Sequence, residues 1–499
     1  MSSSKRVAPL VAERPLVQES KIRIRSWQVV NHLSLATTSA VQLVQALRDG
    51  DVQAVDLFDE AEERHRRYGD ALNAYKLWLG PAARAQAQAA DAAFKVGADL
   101  GPAQGLPISI KDVFGVRGTP TFCGTPRALP PKYEAEGAIV AALRGQLAVF
   151  PGKSHTVPFA FGVIGVNKHW GSPRNPWDAS AHRMTGGSSS GAGVSLWEGS
   201  CLWALGSDAG GSVRAPAALT GTVGLRTSIG RWPVGGTPPL SPTFDTPGIL
   251  ARSVEDLIVG FAAIDPNVES LKALLQVTAA RSLVGVRIGV PEDHFYDECG
   301  PGVVDAVRRA LRDLEAKGAT LVSVPFPEAT EAAQWMANGG VGVPEGYALV
   351  RSEFPEWIDT LDPTVWARLS TYGAIDVQEY LKRVREIEPA RVRAHARLEG
   401  LDVIATPTTR LTAPTALEVE GLEDYRQRNM AIGRNLMLMN LWDFPSITLP
   451  IGKDPNGLPI GLQLSARRNT DDTLLGIALA IENALGTPRQ ILGTPPLCS

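Results

Sequence analysis

The 499-residue chain predicts an α/β fold. Helical and extended patterns alternate along its length, the extended runs are short and apolar, and no internal repeat or low-complexity tract interrupts them. Strands separated by helices in this way favour one sheet with helices packed on it.

The first elements are helical. Ser39 is placed to cap a helix whose Val41, Val44 and Leu47 recur at helical spacing until Gly50 stops it, and residues 54–67 continue the pattern. Residues 135–145 read as a further helix leading into a strand over 147–150, closed by Pro151 and Gly152. A strand over 284–290 opens a second block, with a helix over 303–317 and a strand over 320–324. Toward residue 400 the chain becomes charged and helical, and Glu379, Arg383, Arg385, Glu386, Glu388, Arg391 and Arg393 are expected on a solvated face. Residues 401–405 return to the sheet. No Pro- or Gly-rich linker divides the chain, so one domain over 1–499 is expected, with an N-terminal arm over 1–38 and a catalytic core over 105–235.

Composition excludes several classes. A net charge of −3 gives no electrostatic footing for nucleic acid or an anionic membrane. No window approaches the ~18 uninterrupted apolar residues of a membrane span. Glu13, Arg14 and Glu19 fall where a signal peptide would carry its apolar core. A cytoplasmic protein is therefore expected, with Cys123, Cys201, Cys299 and Cys498 reduced and too scattered for disulfide or zinc spacing. No cofactor is expected. Nor is a metal, because no segment gathers His, Cys and carboxylates at ligand spacing.

The chemistry concentrates in three segments. Two are rich in glycine and serine, Thr185-Gly-Gly-Ser-Ser-Ser-Gly-Ala-Gly193 and Ser207-Asp-Ala-Gly-Gly-Ser-Val-Arg214, and they set Ser188 and Ser212 24 residues apart. The third, Gly105-Leu-Pro-Ile-Ser-Ile-Lys-Asp-Val113, places Lys111 directly after an apolar run. A serine hydroxyl needs a positioned base to act as a nucleophile at neutral pH. None of the seven histidines sits in a comparably constrained segment. A lysine can be that base when burial makes it neutral, and the apolar run before Lys111 favours this. When a serine attacks a carbonyl, successive backbone amides of a glycine turn can stabilise the oxyanion, and Ala209, Gly210, Gly211 and Ser212 are the candidates. Asp208 and Arg214 bracket that turn as structural clamps.

Taken together and in this order, these segments resemble the amidase signature family. The resemblance runs from about residue 39 to 484 and includes Asn440-Leu-Trp-Asp-Phe-Pro-Ser-Ile-Thr-Leu-Pro450 and Gly457-Leu-Pro-Ile-Gly-Leu-Gln463. It implies a central mixed, twisted β-sheet flanked by helices on both faces, with a variable region over 265–400 helping to form the substrate funnel. It also implies acyl-enzyme hydrolysis of a carboxamide, with Ser212 as nucleophile, Ser188 as relay in a cis peptide and neutral Lys111 as base. Ser189 matches a second serine that hydrogen-bonds within the family's site, Ser190 stands where many relatives have glycine, and Asp112 is expected to point away from the relay.

Gly187-Ser-Ser-Ser-Gly191 also satisfies the G-x-S-x-G elbow of an α/β-hydrolase esterase, with Ser189 as nucleophile and His294 or His395 as partner. That elbow must follow a buried strand, whereas residues 175–182 read as loop. A phosphate loop is disfavoured because neither cluster ends in Gly-Lys-Ser/Thr.

The expected partner is a small-molecule amide with a hydrophobic or aromatic body, and a homodimer is left open. Phe159, Phe161, Trp170 and Trp177 suggest an apolar mouth, and Trp442 and Phe444 stand where smaller residues are frequent in relatives. The pocket candidates are Cys123, Phe161, Thr185, Gly186, Gly187 and Trp442, although the favoured reading of Cys123 is a small buried apolar residue. Carbamate and urea-type amides, ester side activity, and the glutaminase subunit of a tRNA-dependent amidotransferase are the alternatives.

Overall fold

A computed structural model describes residues 33–291 and 293–499, so residues 1–32 of the expected N-terminal arm lie outside the described residues. Among the described residues eleven strands form a single sheet. They are β1 (Tyr75–Trp78), β2 (Ile108–Lys111), β3 (Gly152–Ser154), β4 (Trp203–Ser207), β5 (Val223–Arg226), β6 (Pro247–Ala251), β7 (Arg287–Val290), β8 (Thr320–Ser323), β9 (Val403–Pro407), β10 (Ser446–Lys453) and β11 (Pro459–Ser465). Across the sheet they run β1, β3, β2, β4, β6, β5, β10, β11, β9, β7, β8.

The sheet is mixed. β2 lies parallel to β3 and β4, β7 lies parallel to β8 and β9, and the strands between these groups pair antiparallel. β2, β5, β6, β9 and β11 are buried at every position. Alternate residues of a strand face opposite sides, so such burial requires helices on both faces.

Local signals set most boundaries. Ser39 accepts the Gln42 amide in a reciprocal capping box, and the helix Ala40–Asp49 ends where Gly50 adopts φ 77°. The next helix spans Ala54–Leu72 and the one near 140 spans Ala138–Gly145. Residues 147–150 are not a strand: Val149 keeps one parallel bridge to Pro107, and the ladder begins at Gly152. The sheet there is built from Gly152, Lys153 and Ser154, whose polar character concealed a buried strand. The strand expected from 284 begins at Arg287, because a turn in which Val286 donates to Leu283 O precedes it.

The 265–400 region contributes β7, β8 and the helices Leu271–Ala279, Val303–Ala316, Glu328–Ala337, Gly342–Glu353, Pro363–Tyr372 and Val377–Ala396. The last of these is not simply a solvated face. Arg383 donates to Asn338 O at 3.0 Å and Gly340 O at 2.9 Å, and Arg391 donates to Leu441 O at 3.1 Å. These charges hold a neighbouring turn in place.

Candidate active site

Lys111 is the last residue of β2, and Ser207 is the last residue of β4, its parallel neighbour. Parallel strands end on the same side of a sheet, so the two are brought together by register alone. The Lys111 Nζ lies 2.9 Å from Ser207 Oγ and 2.7 Å from Ser188 Oγ. Lys111 is fully buried. Burial lowers its pKa to about 7, although Cys123, Asp208 and Asp245 pull in the other direction. Asp112 is turned to Lys153, 2.8 Å away, and accepts the Phe122 amide, so it faces away from the Lys111 amine.

Each serine cluster runs into a short buried helix, Ala192–Glu198 after the first and Arg214–Thr220 after the second. The Gly187–Ser188 peptide is cis. The Ser188 carbonyl accepts the amides of Val157 and Ser190. Ser189 joins the clusters, donating its amide to Ser212 O at 3.2 Å and its hydroxyl to Ser207 O at 3.5 Å. No strand precedes Ser189, and the two histidines of the elbow reading are engaged elsewhere: Arg434 faces His294, and His395 lies 3.0 Å from Trp442 O. The elbow arrangement is absent.

Asp208 organises the second cluster. Its Oδ1 accepts the Gly211 amide at 2.7 Å, its Oδ2 accepts the Val213 amide at 3.1 Å, and both oxygens meet the Arg214 guanidinium. Burial alone would raise the carboxyl pKa, but the Arg214 charge and its hydrogen bonds override this and hold it well below the usual carboxylate range. Gly211 sits at φ 110°, and a Cβ there would lie 2.6 Å from Leu436 side-chain atoms. The expectation for Gly211 as an oxyanion donor is corrected: its N–H is taken by Asp208. The amides of Ala209, Gly210 and Ser212 meet no protein acceptor among the described residues. All three residues line one pocket with Ser188, Phe159 and Phe161.

The other pocket candidates are corrected. Trp442 is fully buried in a core cluster with its ring 4.8 Å from Phe326, because the end of the helix Leu422–Leu441 turns it away from the serines. Phe444 joins it in that cluster, Trp177 packs on Trp197, and Trp170 covers the Lys76 ammonium. Cys123 is buried behind the pocket, accepting the Phe159 amide at its carbonyl, and burial pushes its thiol up to about 12. Thr185, Gly186 and Gly187 are buried backbone supports that do not line the cavity. The apolar wall is formed by the expected Phe159 and Phe161 together with Leu240, Phe244, Met336, Val343 and Met437.

Several residues of the site escaped the sequence reading. Ser207 stood at the head of a quoted segment without a role. Asn440 links the helix Leu422–Leu441 to the loop, donating to Asp208 Oδ1 at 3.0 Å and accepting from Arg214 at 2.6 Å. Its signal was its place in the late segment, where the aromatics drew attention instead. Asp245 and Arg368 reach the pocket from loops and helices that carry no motif. Burial raises the Asp245 pKa to about 7, with Glu345 adding to the rise and the Ser241 amide opposing it.

Among the described residues no group of His, Cys, Asp and Glu could hold a metal ion, and no helix is long and apolar enough to cross a membrane. The four cysteines are unpaired.

The amidase family model matches residues 56–475. The chain is 43% identical over 466 residues to a 2-amino-5-chloromuconic acid deaminase of Comamonas testosteroni, covering 93% of this chain and 99% of that protein. It is 30% identical to an indoleacetamide hydrolase of Allorhizobium ampelinum, covering 89% of this chain and 97% of the relative. A crystal structure of an amidase superposes with a TM-score of 0.81 at 30% identity, covering 90% of this chain and all of the other. The chain belongs to the amidase signature family and is a hydrolase of carbon–nitrogen bonds other than peptide bonds.

Proposed function

We propose that Ser212 is the nucleophile, Ser188 the proton relay and neutral Lys111 the ultimate base of an acyl-enzyme hydrolysis. Ser212 attacks the carbonyl carbon while its proton passes through Ser188 to Lys111. The oxyanion is held by the amides of Ala209, Gly210 and Ser212, which are preorganised because Asp208 fixes the turn from behind. The same proton is returned to the departing nitrogen, and water then releases the acid along the reverse path. The observation that carries this reading is the buried Lys111 amine 2.7 Å from Ser188 Oγ, with a pKa near 7 that leaves it substantially unprotonated at neutral pH.

Ser189 and Asn440 are positioning residues in this reading, and Asp208 and Arg214 are the clamp. The 265–400 region acts as the funnel, supported by the five lining residues Met336, Gly339, Gly342, Val343 and Arg368 that it contributes. An apolar-bodied substrate suits the Phe159, Phe161, Phe244 and Met437 walls. A reducing cytoplasm suits the unpaired cysteines.

A second reading has support in the 43% identical relative. Here the bond cleaved is that of an unsaturated amino acid, whose enamine carbon takes up water oxygen and leaves as an oxo compound while nitrogen departs as ammonia. One assay separates the two. Purified enzyme is offered primary amides, anilides, carbamates, esters, glutamine and 2-aminomuconate, with ammonia, amine and organic product all monitored. A carboxylic acid product supports acyl transfer, and a 2-oxo acid supports the deaminase reading. A serine-directed covalent inhibitor should add its mass at Ser212, and a label found on Ser189 would overturn the nucleophile assignment.

A further inference from the structure

One arginine of the pocket has no ion-pair or hydrogen-bond partner among the described residues. Arg368 projects from the helix Pro363–Tyr372 and lines the same cavity as Ser188 and Ser212. Arg214 and Arg226, the fully buried arginines of the core, face Asp208 and Asp443. Arg368 makes no ion pair and no hydrogen bond among the described residues. The groups that bear on it electrostatically are the phenols of Tyr425 and Tyr372, which carry no charge at neutral pH. Neither carboxylate at hand pairs with it: Asp362, the nearest along the chain, accepts the Thr364 amide and hydroxyl at one oxygen and has its other oxygen 3.7 Å from Lys168 Nζ, and Asp245, which lines the same cavity, accepts the Ser241 amide. Burial accordingly pushes the Arg368 guanidinium below its usual pKa. A half-buried guanidinium without a counter-ion is less favourable than a paired one, and an anion bound in the pocket would relieve it.

A second donor lines the same pocket. Asn429 accepts the Val163 amide at its Oδ1, at 2.9 Å, which fixes the side-chain orientation and leaves its Nδ2 without a protein acceptor among the described residues. Planar guanidinium and amide N–H groups are the donors that match a carboxylate.

We infer that Arg368, assisted by Asn429, is the specificity-determining residue that receives a carboxylate of the substrate, so that the enzyme acts on carboxylate-bearing C–N compounds in preference to neutral ones. The inference rests on the reading that the Ser188–Ser212 cavity is the reaction pocket. It refines the expected apolar substrate to one with an apolar middle and an anionic end.

The test pairs each ω-amido acid with its neutral counterpart: succinamate with butyramide, glutaramate with pentanamide, adipamate with hexanamide. Ammonia release is measured for wild type, Arg368→Met and Arg368→Lys, with melting temperature as the folding control. Wild type should favour the carboxylate member of at least one pair. Arg368→Met should lower that preference about 10- to 100-fold, mainly through KM, as expected for losing a charged hydrogen-bonding partner. Arg368→Lys should fall between. A wild-type preference for the neutral member of every pair, or a preference unchanged in Arg368→Met, overturns the inference. Calorimetric titration of adipate into Ser212→Ala and into Ser212→Ala/Arg368→Met decides independently of turnover. Saturable binding weakened at least 10-fold by the second substitution supports the inference, and absent or equal binding overturns it. If Ser212→Ala retains activity, the nucleophile reading fails while the adipate titration still reports on Arg368.

Discussion

The Lys111 Nζ stands 2.7 Å from the Ser188 Oγ across 77 residues of chain, with Ser207 Oγ on its other side at 2.9 Å. Two hydroxyls and no carboxylate in direct contact make this a site that tolerates a neutral amine. A free ammonium in water keeps a pKa of about 10.4, so its fall to about 7 is the work of burial.

The first prediction concerns rate and pH. Activity requires the deprotonated amine, so kcat/KM should rise with pH through a limb near 7 and then level. Asp245 titrates in the same range, and its ionisation favours protonated Lys111. Asp245→Asn should therefore move the limb to lower pH. Lys111→Arg, which cannot deprotonate, should remove both activity and limb. A fully active Lys111→Arg enzyme with an unchanged profile excludes lysine as the base.

Removing the hydroxyls tests the relay. Ser212→Ala should lower kcat on the order of 10⁴- to 10⁶-fold while leaving the melting temperature close to wild type. Ser188→Ala and Lys111→Ala should each cost several orders of magnitude, and the double variant little more than either, because the members of a relay act as a unit. Multiplicative losses in the double variant would separate their roles.

The Asp208 clamp should matter to stability and rate together. Asp208→Asn leaves the buried Arg214 guanidinium without its carboxylate, and breaking a buried pair from one side costs about 3–5 kcal/mol. Chemical denaturation should show that loss, and the residual folded enzyme should have a reduced kcat because one of the Gly211 and Val213 amides loses its acceptor oxygen. An Asp208→Asn protein of wild-type stability would show that the pair contributes nothing.

Glu482 offers a test remote from the site. Burial raises its pKa to about 8, against the opposing hydrogen bond from the Val254 amide, and Asp256 adds to the rise. The folded protein thus holds a proton that the unfolded chain releases near pH 4.3. Between that pH and about 8 the folded state binds more protons, so this group's contribution to stability declines as pH rises. Glu482→Gln keeps an acceptor for Val254 and removes the titration. Its melting temperature relative to wild type should therefore improve from pH 5 to pH 8.5, and a constant difference would refute the assignment.

The sequence by itself determined the α/β class, the helices capped by Ser39 and stopped by Gly50, and the three segments that bear Lys111, Ser188 and Ser212. These features are local: a capping hydroxyl, a glycine-rich turn and an apolar run each state their conformation within a few residues. The tertiary structure decided what those segments face. β3 formed from Gly152, Lys153 and Ser154 because a ladder was available on both sides, and polarity gave no sign of it. Gly211 left the oxyanion set because Asp208, three residues earlier, accepts its amide. Trp442 went to the core with Phe326, whereas Ser207, Asn440 and Arg368 entered the site through strand register and helix packing. Contacts between residues distant in sequence depend on which surfaces the whole chain buries together, and no window of sequence contains that information.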